Sequence, residues 1–127
     1  MLSVIRPPEA QAPEVLVVDD DPEVRDAIRD VLEDEGFLVR CAGNGKEALD
    51  ALSGETLPDA IILDLTMPIM DGYEFLQRRE RIAELARIPV IVVTASMNPP
   101  LEEDVAFVRK PIDIELLMDA VRTRVRG

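Results

Sequence analysis

Dense runs of aliphatic residues recur along the chain, each short and each closing on a polar residue. Val15 to Val18 is one such run, ending at Asp19, and its lack of polar alternation predicts a strand buried on both faces. Ala60 to Leu63, ending at Asp64, and Val90 to Val93, ending at Thr94, repeat the pattern. Phe37 to Ala42 predicts a further strand, nearer an edge because Arg40 interrupts it, and Ala106 to Val108 a last short one.

The stretches between these runs carry helical spacing. After Asp19, Asp21 can cap a helix and Pro22 suits its first turn. Val24, Ala27, Ile28, Val31 and Leu32 then form one apolar stripe, and Gly36 closes the helix. Gly45 to Ser53 predicts a shorter helix, and Gly72 to about Ala86 a longer one. Asp113 caps a final helix whose Leu117, Ala120 and Val121 face inward. Five strands alternating with helices predict an α/β fold, a doubly wound parallel sheet with right-handed crossovers and helices on both faces. Residues 1–13, with Pro7, Pro8 and Pro13 among small and polar residues, predict a flexible N-terminal arm, leaving 14–127 as the folded domain.

With 127 residues, 47% of them hydrophobic, the chain suffices for one domain with one core. Its formal charge of −12 repels phosphate backbones and anionic lipid, which argues against direct binding to nucleic acid or membrane and leaves proteins or cations as partners. The single cysteine, Cys41, sits in an apolar segment as a small hydrophobe. No apolar run approaches a membrane span and the N-terminus lacks a signal-peptide pattern, so a cytoplasmic location is expected.

In doubly wound sheets ligands bind outside the carboxyl ends of the strands. Those ends carry Asp19 and Asp20, then Asp64, then Thr94, with Lys110 just past the last strand. Three carboxylates meeting in one pocket repel one another unless a cation neutralises them, and a hard divalent ion such as Mg²⁺ takes oxygen ligands of this kind. Asp64, on the fixed backbone of a strand end, is placed for nucleophilic attack on phosphorus. The Lys110 ammonium and Thr94 hydroxyl can meet phosphoryl oxygens as charge shifts in transfer.

Val17-Val18-Asp19-Asp20, Asp64-Leu65-Thr66-Met67-Pro68-Ile69-Met70-Asp71-Gly72, Val93-Thr94-Ala95-Ser96 and Lys110-Pro111, in this order, resemble the receiver domain of two-component response regulators. The likeness runs from Glu14 to the C-terminus. It implies a flavodoxin-like sheet of strand order 2-1-3-4-5. It also implies a phosphoacceptor role for Asp64 and a Mg²⁺ site made by Asp19, Asp20, Asp64 and the Thr66 carbonyl. Thr94 and Lys110 then engage the phosphoryl group, and the Lys110-Pro111 peptide is cis, as X-Pro bonds allow at low cost. Phe107 takes the place of the family's switch aromatic, against which stands the reading of a permanently buried core phenylalanine. The donor is expected to be a histidine kinase or phosphotransfer protein, and the output a downstream protein partner, whether the chain is a stand-alone receiver or the cut-out receiver of a longer regulator. The expected activity is that of a phosphoacceptor, not of an enzyme acting on other substrates.

Only sixteen positions separate Thr94 from Lys110, fewer than in a usual receiver, and Asn98-Pro99-Pro100 stands among them. Prolines start helices but do not sit inside them, so the crossover helix over Ser96 to Asp104 is expected to be truncated or absent. Two rivals remain. A haloacid-dehalogenase-like phosphatase requires a second aspartate two residues after the nucleophile, where this chain has Thr66. A pseudo-receiver, a binding module that is never phosphorylated, is the alternative reading.

Overall fold

The computed structural model describes residues 12–54, 56–96, 99, 101 and 105–126. The expectation of a flexible arm falls mainly on residues 1–11, outside the described residues. Pro13 is already tied to the sheet, its carbonyl accepting the Leu38 amide at 2.9 Å.

Five parallel strands form one sheet in the order β2-β1-β3-β4-β5, comprising β1 (Glu14–Val18), β2 (Leu38–Ala42), β3 (Ala60–Asp64), β4 (Val90–Thr94) and β5 (Ala106–Arg109). The aliphatic runs become the central strands because both faces of each are covered. Val15 to Val18 and Ala60 to Leu63 are all buried. Helix α1 (Pro22–Asp34) and helix α5 (Ile114–Arg126) cover one face. Ile28, Leu32, Leu117, Met118 and Val121 meet Val17, Ile62, Ile91 and Val93 there. Helices α2 (Gly45–Ala51), α3 (Gly72–Glu80) and α4 (Ala83–Ala86) lie on the other face, where Ala48, Leu52, Phe75 and Leu85 meet Leu16, Ile61, Leu63 and Val92. Each such buried aliphatic contributes about 1.5–3 kcal/mol, so this core can carry an unfavourably charged site at its edge.

Local signals set the helix ends. Asp21 accepts the Glu23 amide at 2.9 Å, and Asp113 accepts the Leu116 amide at 3.2 Å. Gly36, at φ +93°, ends α1 with the Phe37 amide reaching back to the Leu32 carbonyl at 3.0 Å.

The long helix expected over Gly72 to Ala86 is in fact two. It stops at Arg81, and Ile82 is extended (φ −114°, ψ 110°) before α4 begins. Continued without a break, two turns on from Phe75, the helix would turn Ile82 towards the core and Leu85 away from it. The break reverses this: Leu85 is 6% exposed and Ile82 46%. Arg79 holds the new arrangement by donating to the carbonyls of Ala86 and Ile88.

Between β4 and β5, the described residues Ser96, Pro99, Leu101 and Val105 lie outside any helix. The rest of the segment expected to lack a full helix falls outside the described residues.

Candidate functional site

The register of the sheet decides which side chains meet. Val18 pairs with Leu63, and Leu63 with Val92, so Asp19, Asp64 and Thr94 finish neighbouring strands at one edge. Asp19, Asp64 and Thr94 are buried, at 3%, 5% and 6% exposure, whereas Asp20 is exposed. One carboxylate oxygen from each of Asp19, Asp20 and Asp64 lies within 4.8 Å of the others. Lys110, the residue after β5, closes the group, its Nζ 3.4 Å from Asp64 Oδ1 and 3.6 Å from Asp19 Oδ2. All the residues expected at the strand ends are therefore brought together.

Short bonds orient each group. Asp19 Oδ1 accepts the Asp21 amide at 2.9 Å. Asp64 Oδ1 accepts the Thr66 amide at 3.3 Å and also faces Lys110 Nζ at 3.4 Å. Thr94 Oγ1 accepts the Ser96 amide at 3.1 Å, which leaves its own proton as the donor it can offer. The Thr94 carbonyl accepts the Lys110 amide at 2.8 Å, and the Lys110-Pro111 peptide is cis.

Burial pushes the Asp64 carboxyl above its ordinary range, and the neighbouring Asp19 charge adds to this, while Lys110 and the Thr66 amide oppose it. The site is short of positive charge. Its donor set, three carboxylates within reach of one another, consists of hard oxygens, and Asp64 is destabilised as an anion. Those properties fit a divalent cation such as Mg²⁺ bound by Asp19, Asp20 and Asp64.

Sequence reasoning missed the glycines that shape the β3–α3 loop. A Cβ on Gly72 would stand 2.6 Å from the Asp64 carbonyl oxygen, and one on Gly45 would stand 2.8 Å from the Met70 oxygen. The Gly72 amide donates to Leu65 and the Gly45 amide to Met70, at 3.0 and 2.9 Å, so bare backbone on two sides clamps the loop after Asp64. The clamp buries Met67 and Met70 and loops out Ile69, at φ +69° and 78% exposure, in a γ-turn closed by the Met70 amide on the Pro68 carbonyl at 2.7 Å. The signal present in the sequence was Gly72 itself, next to the capping Asp71; only the contacts show why it is glycine.

Phe107 is 46% exposed, which corrects the reading of a permanently buried core phenylalanine. Ala106 and Val108 pack against the α1/α5 face, so alternation along β5 turns Phe107 to the opposite side.

Residues 15–122 match the response regulator receiver domain. Response regulator Rre1 of Synechocystis is 39% identical over 115 residues, which make up 85% of this chain and 49% of that protein. The chain thus spans about half the length of several curated relatives it matches. Sporulation initiation phosphotransferase F of Bacillus subtilis is 33% identical over 112 residues, covering 85% of this chain and 90% of that one. Among solved structures, the receiver domain of a signal transduction histidine kinase from Syntrophus aciditrophicus superposes with a TM-score of 0.83 at 33% identity, covering 91% of this chain and 92% of its own. Chemotaxis response regulator CheY4 of Vibrio cholerae gives 0.81 at 27% identity, covering 90% and 99%. Among the described residues no helix is long and apolar enough to cross a membrane. Sequence, strand order and strand-end chemistry agree, and the chain belongs to the response regulator receiver domains of two-component systems.

Proposed function

We propose that the protein is a phosphorylatable receiver that takes a phosphoryl group onto Asp64 from a histidine kinase or phosphotransfer protein and passes the signal on through protein contacts. The observation that carries this is the Lys110 ammonium set between two buried carboxylates, 3.4 Å from Asp64 and 3.6 Å from Asp19. An ammonium so placed meets the charge that a phosphoryl group brings to Asp64. A carboxylate oxygen of Asp64 forms the new O–P bond as the donor's N–P bond breaks; the donor imidazole keeps the bonding pair and takes up a proton from the buffered solvent. Thr94 donates its hydroxyl proton to a phosphoryl oxygen and Lys110 pairs with another. Asp19, Asp20, Asp64 and the Thr66 carbonyl would hold Mg²⁺, which when bound neutralises the carboxylates and the incoming oxygens.

Phe107 is the residue through which the change leaves the site: it starts half-exposed on the face away from α1 and α5, and inward packing would remove apolar surface from water. The net charge of −12 supports a protein output rather than direct nucleic-acid contact, and the reading places the protein in the cytoplasm. Residues 14–127 form the receiver in this reading.

The test is incubation with a small-molecule phosphodonor and Mg²⁺, followed by intact mass. The wild type should gain one phosphoryl mass and Asp64→Asn none. Labelling of Asp64→Asn at the wild-type rate would refute the assignment, and a wild type that binds Mg²⁺ yet is never labelled would establish the pseudo-receiver reading instead.

A further inference from the structure

Arg25 closes the first turn of α1, half-buried and near the Asp19, Asp20 and Asp64 carboxylates. Its short bond goes to a neutral group: Nη1 donates to the Asp19 backbone carbonyl at 2.7 Å. The seat of the guanidinium is the β2–α2 turn. A Cβ on Gly43 would lie 3.3 Å from Arg25 Nη1 and 3.3 Å from Glu47 Oε1, and that carboxylate accepts the Gly43 amide at 2.8 Å. The guanidinium is therefore laid over bare backbone between the end of β2 and the end of β1.

The oxygen it holds belongs to the Asp19-Asp20 peptide, which is one rigid plane. Asp19 is fixed on its other sides, its amide donating to the Ala42 carbonyl at 3.1 Å and its Oδ1 accepting the Asp21 amide at 2.9 Å. Asp20 is exposed, so packing does little to aim it. The orientation of the peptide plane then governs where its carboxylate points, and that carboxylate must converge with Asp19 and Asp64 to complete the oxygen cluster.

We propose that Arg25 is a positioning residue for the cation site: by holding the Asp19 carbonyl it sets the peptide plane that directs Asp20 at the metal. This rests on the reading of Asp19, Asp20 and Asp64 as a Mg²⁺ site. The effect runs against simple electrostatics. A guanidinium beside a cation site repels the incoming ion, so on charge alone its removal tightens Mg²⁺. On positioning, its removal weakens Mg²⁺, as loss of groups that orient metal ligands does. Charge and geometry thus predict opposite signs.

The experiment is Mg²⁺ titration by calorimetry of the unphosphorylated full chain, with thermal midpoints in EDTA to confirm folding. Arg25→Met removes the charge and the donor, and its Mg²⁺ affinity should fall on the order of tenfold. Arg25→Lys keeps the charge but is shorter and lacks the planar fork, so it too should bind more weakly. Binding at or above wild-type strength in either variant overturns the proposal. If Arg25→Met does not fold, Arg25→Lys decides on the same criterion. A wild type that takes up no Mg²⁺ would instead overturn the cation site itself and the positioning role with it.

Discussion

Lys110→Met removes the cation that stands between two buried carboxylates and leaves a side chain of similar length. At 3.4 and 3.6 Å, and with an effective dielectric constant of about 20, each ion pair is worth roughly 4.5–5 kcal/mol before desolvation. Lys110 keeps 30% of its side chain in water, while Asp19 and Asp64 keep only 4% and 6%. Desolvation and screening cancel most of the gross attraction, but truncating one partner strands the other two charges at the sheet edge, so the net loss should be about 2 kcal/mol. For a domain of this size that lowers the thermal midpoint by about 8 °C in EDTA. Added Mg²⁺ should then stabilise the variant more than the wild type, because the uncompensated cluster binds the ion more tightly and the native state alone binds it. The assay is a pair of melting curves for each protein, with EDTA and with Mg²⁺. Equal midpoints in EDTA, or a gap that Mg²⁺ widens, would refute the argument that Lys110 serves as the resident counter-charge.

Ile69→Gly should stabilise the protein by about 1 kcal/mol, since a β-branched residue at φ +69° is strained and its exposed side chain contributes little packing; a loss of stability in urea denaturation would count against the γ-turn. Gly72→Ala should cost about 2 kcal/mol or more, because the new methyl meets the Asp64 and Leu65 backbone rather than a side chain that can move, and denaturant midpoints measure it. Asp64 has a folded-state pKa raised above its ordinary value of 3.8, so the folded state holds the proton longer and metal-free stability should fall as pH rises from there through the raised value. Asp64→Asn should lack that step and be the more stable protein at neutral pH in EDTA; identical pH profiles for the two would show that Asp64 carries no such burden.

The sequence by itself determined the alternation of strands and helices and the placement of the polar residues at strand ends. Both are local properties: a run such as Val15 to Val18 can satisfy burial only as a covered strand, and a residue that ends a run ends the strand. Asp19, Asp64, Thr94 and Lys110 were legible for that reason, as were the caps at Asp21 and Asp113. What only the tertiary structure decided depends on contacts between segments distant in sequence. Helical spacing ran unbroken from Gly72 to Ala86, yet burying Leu85 required the chain to break at Ile82. Phe107 read equally well as a switch aromatic or as permanent core, because its exposure depends on what covers the neighbouring face and not on β5 itself. Arg25 is one more charge on an amphipathic helix until α1, β1 and the Gly43 turn come together and point its guanidinium at a peptide oxygen instead of a carboxylate. Periodicity records whether a side chain is buried, but not what it is buried against, and that partner is fixed only when the crossovers bring the elements into one sheet.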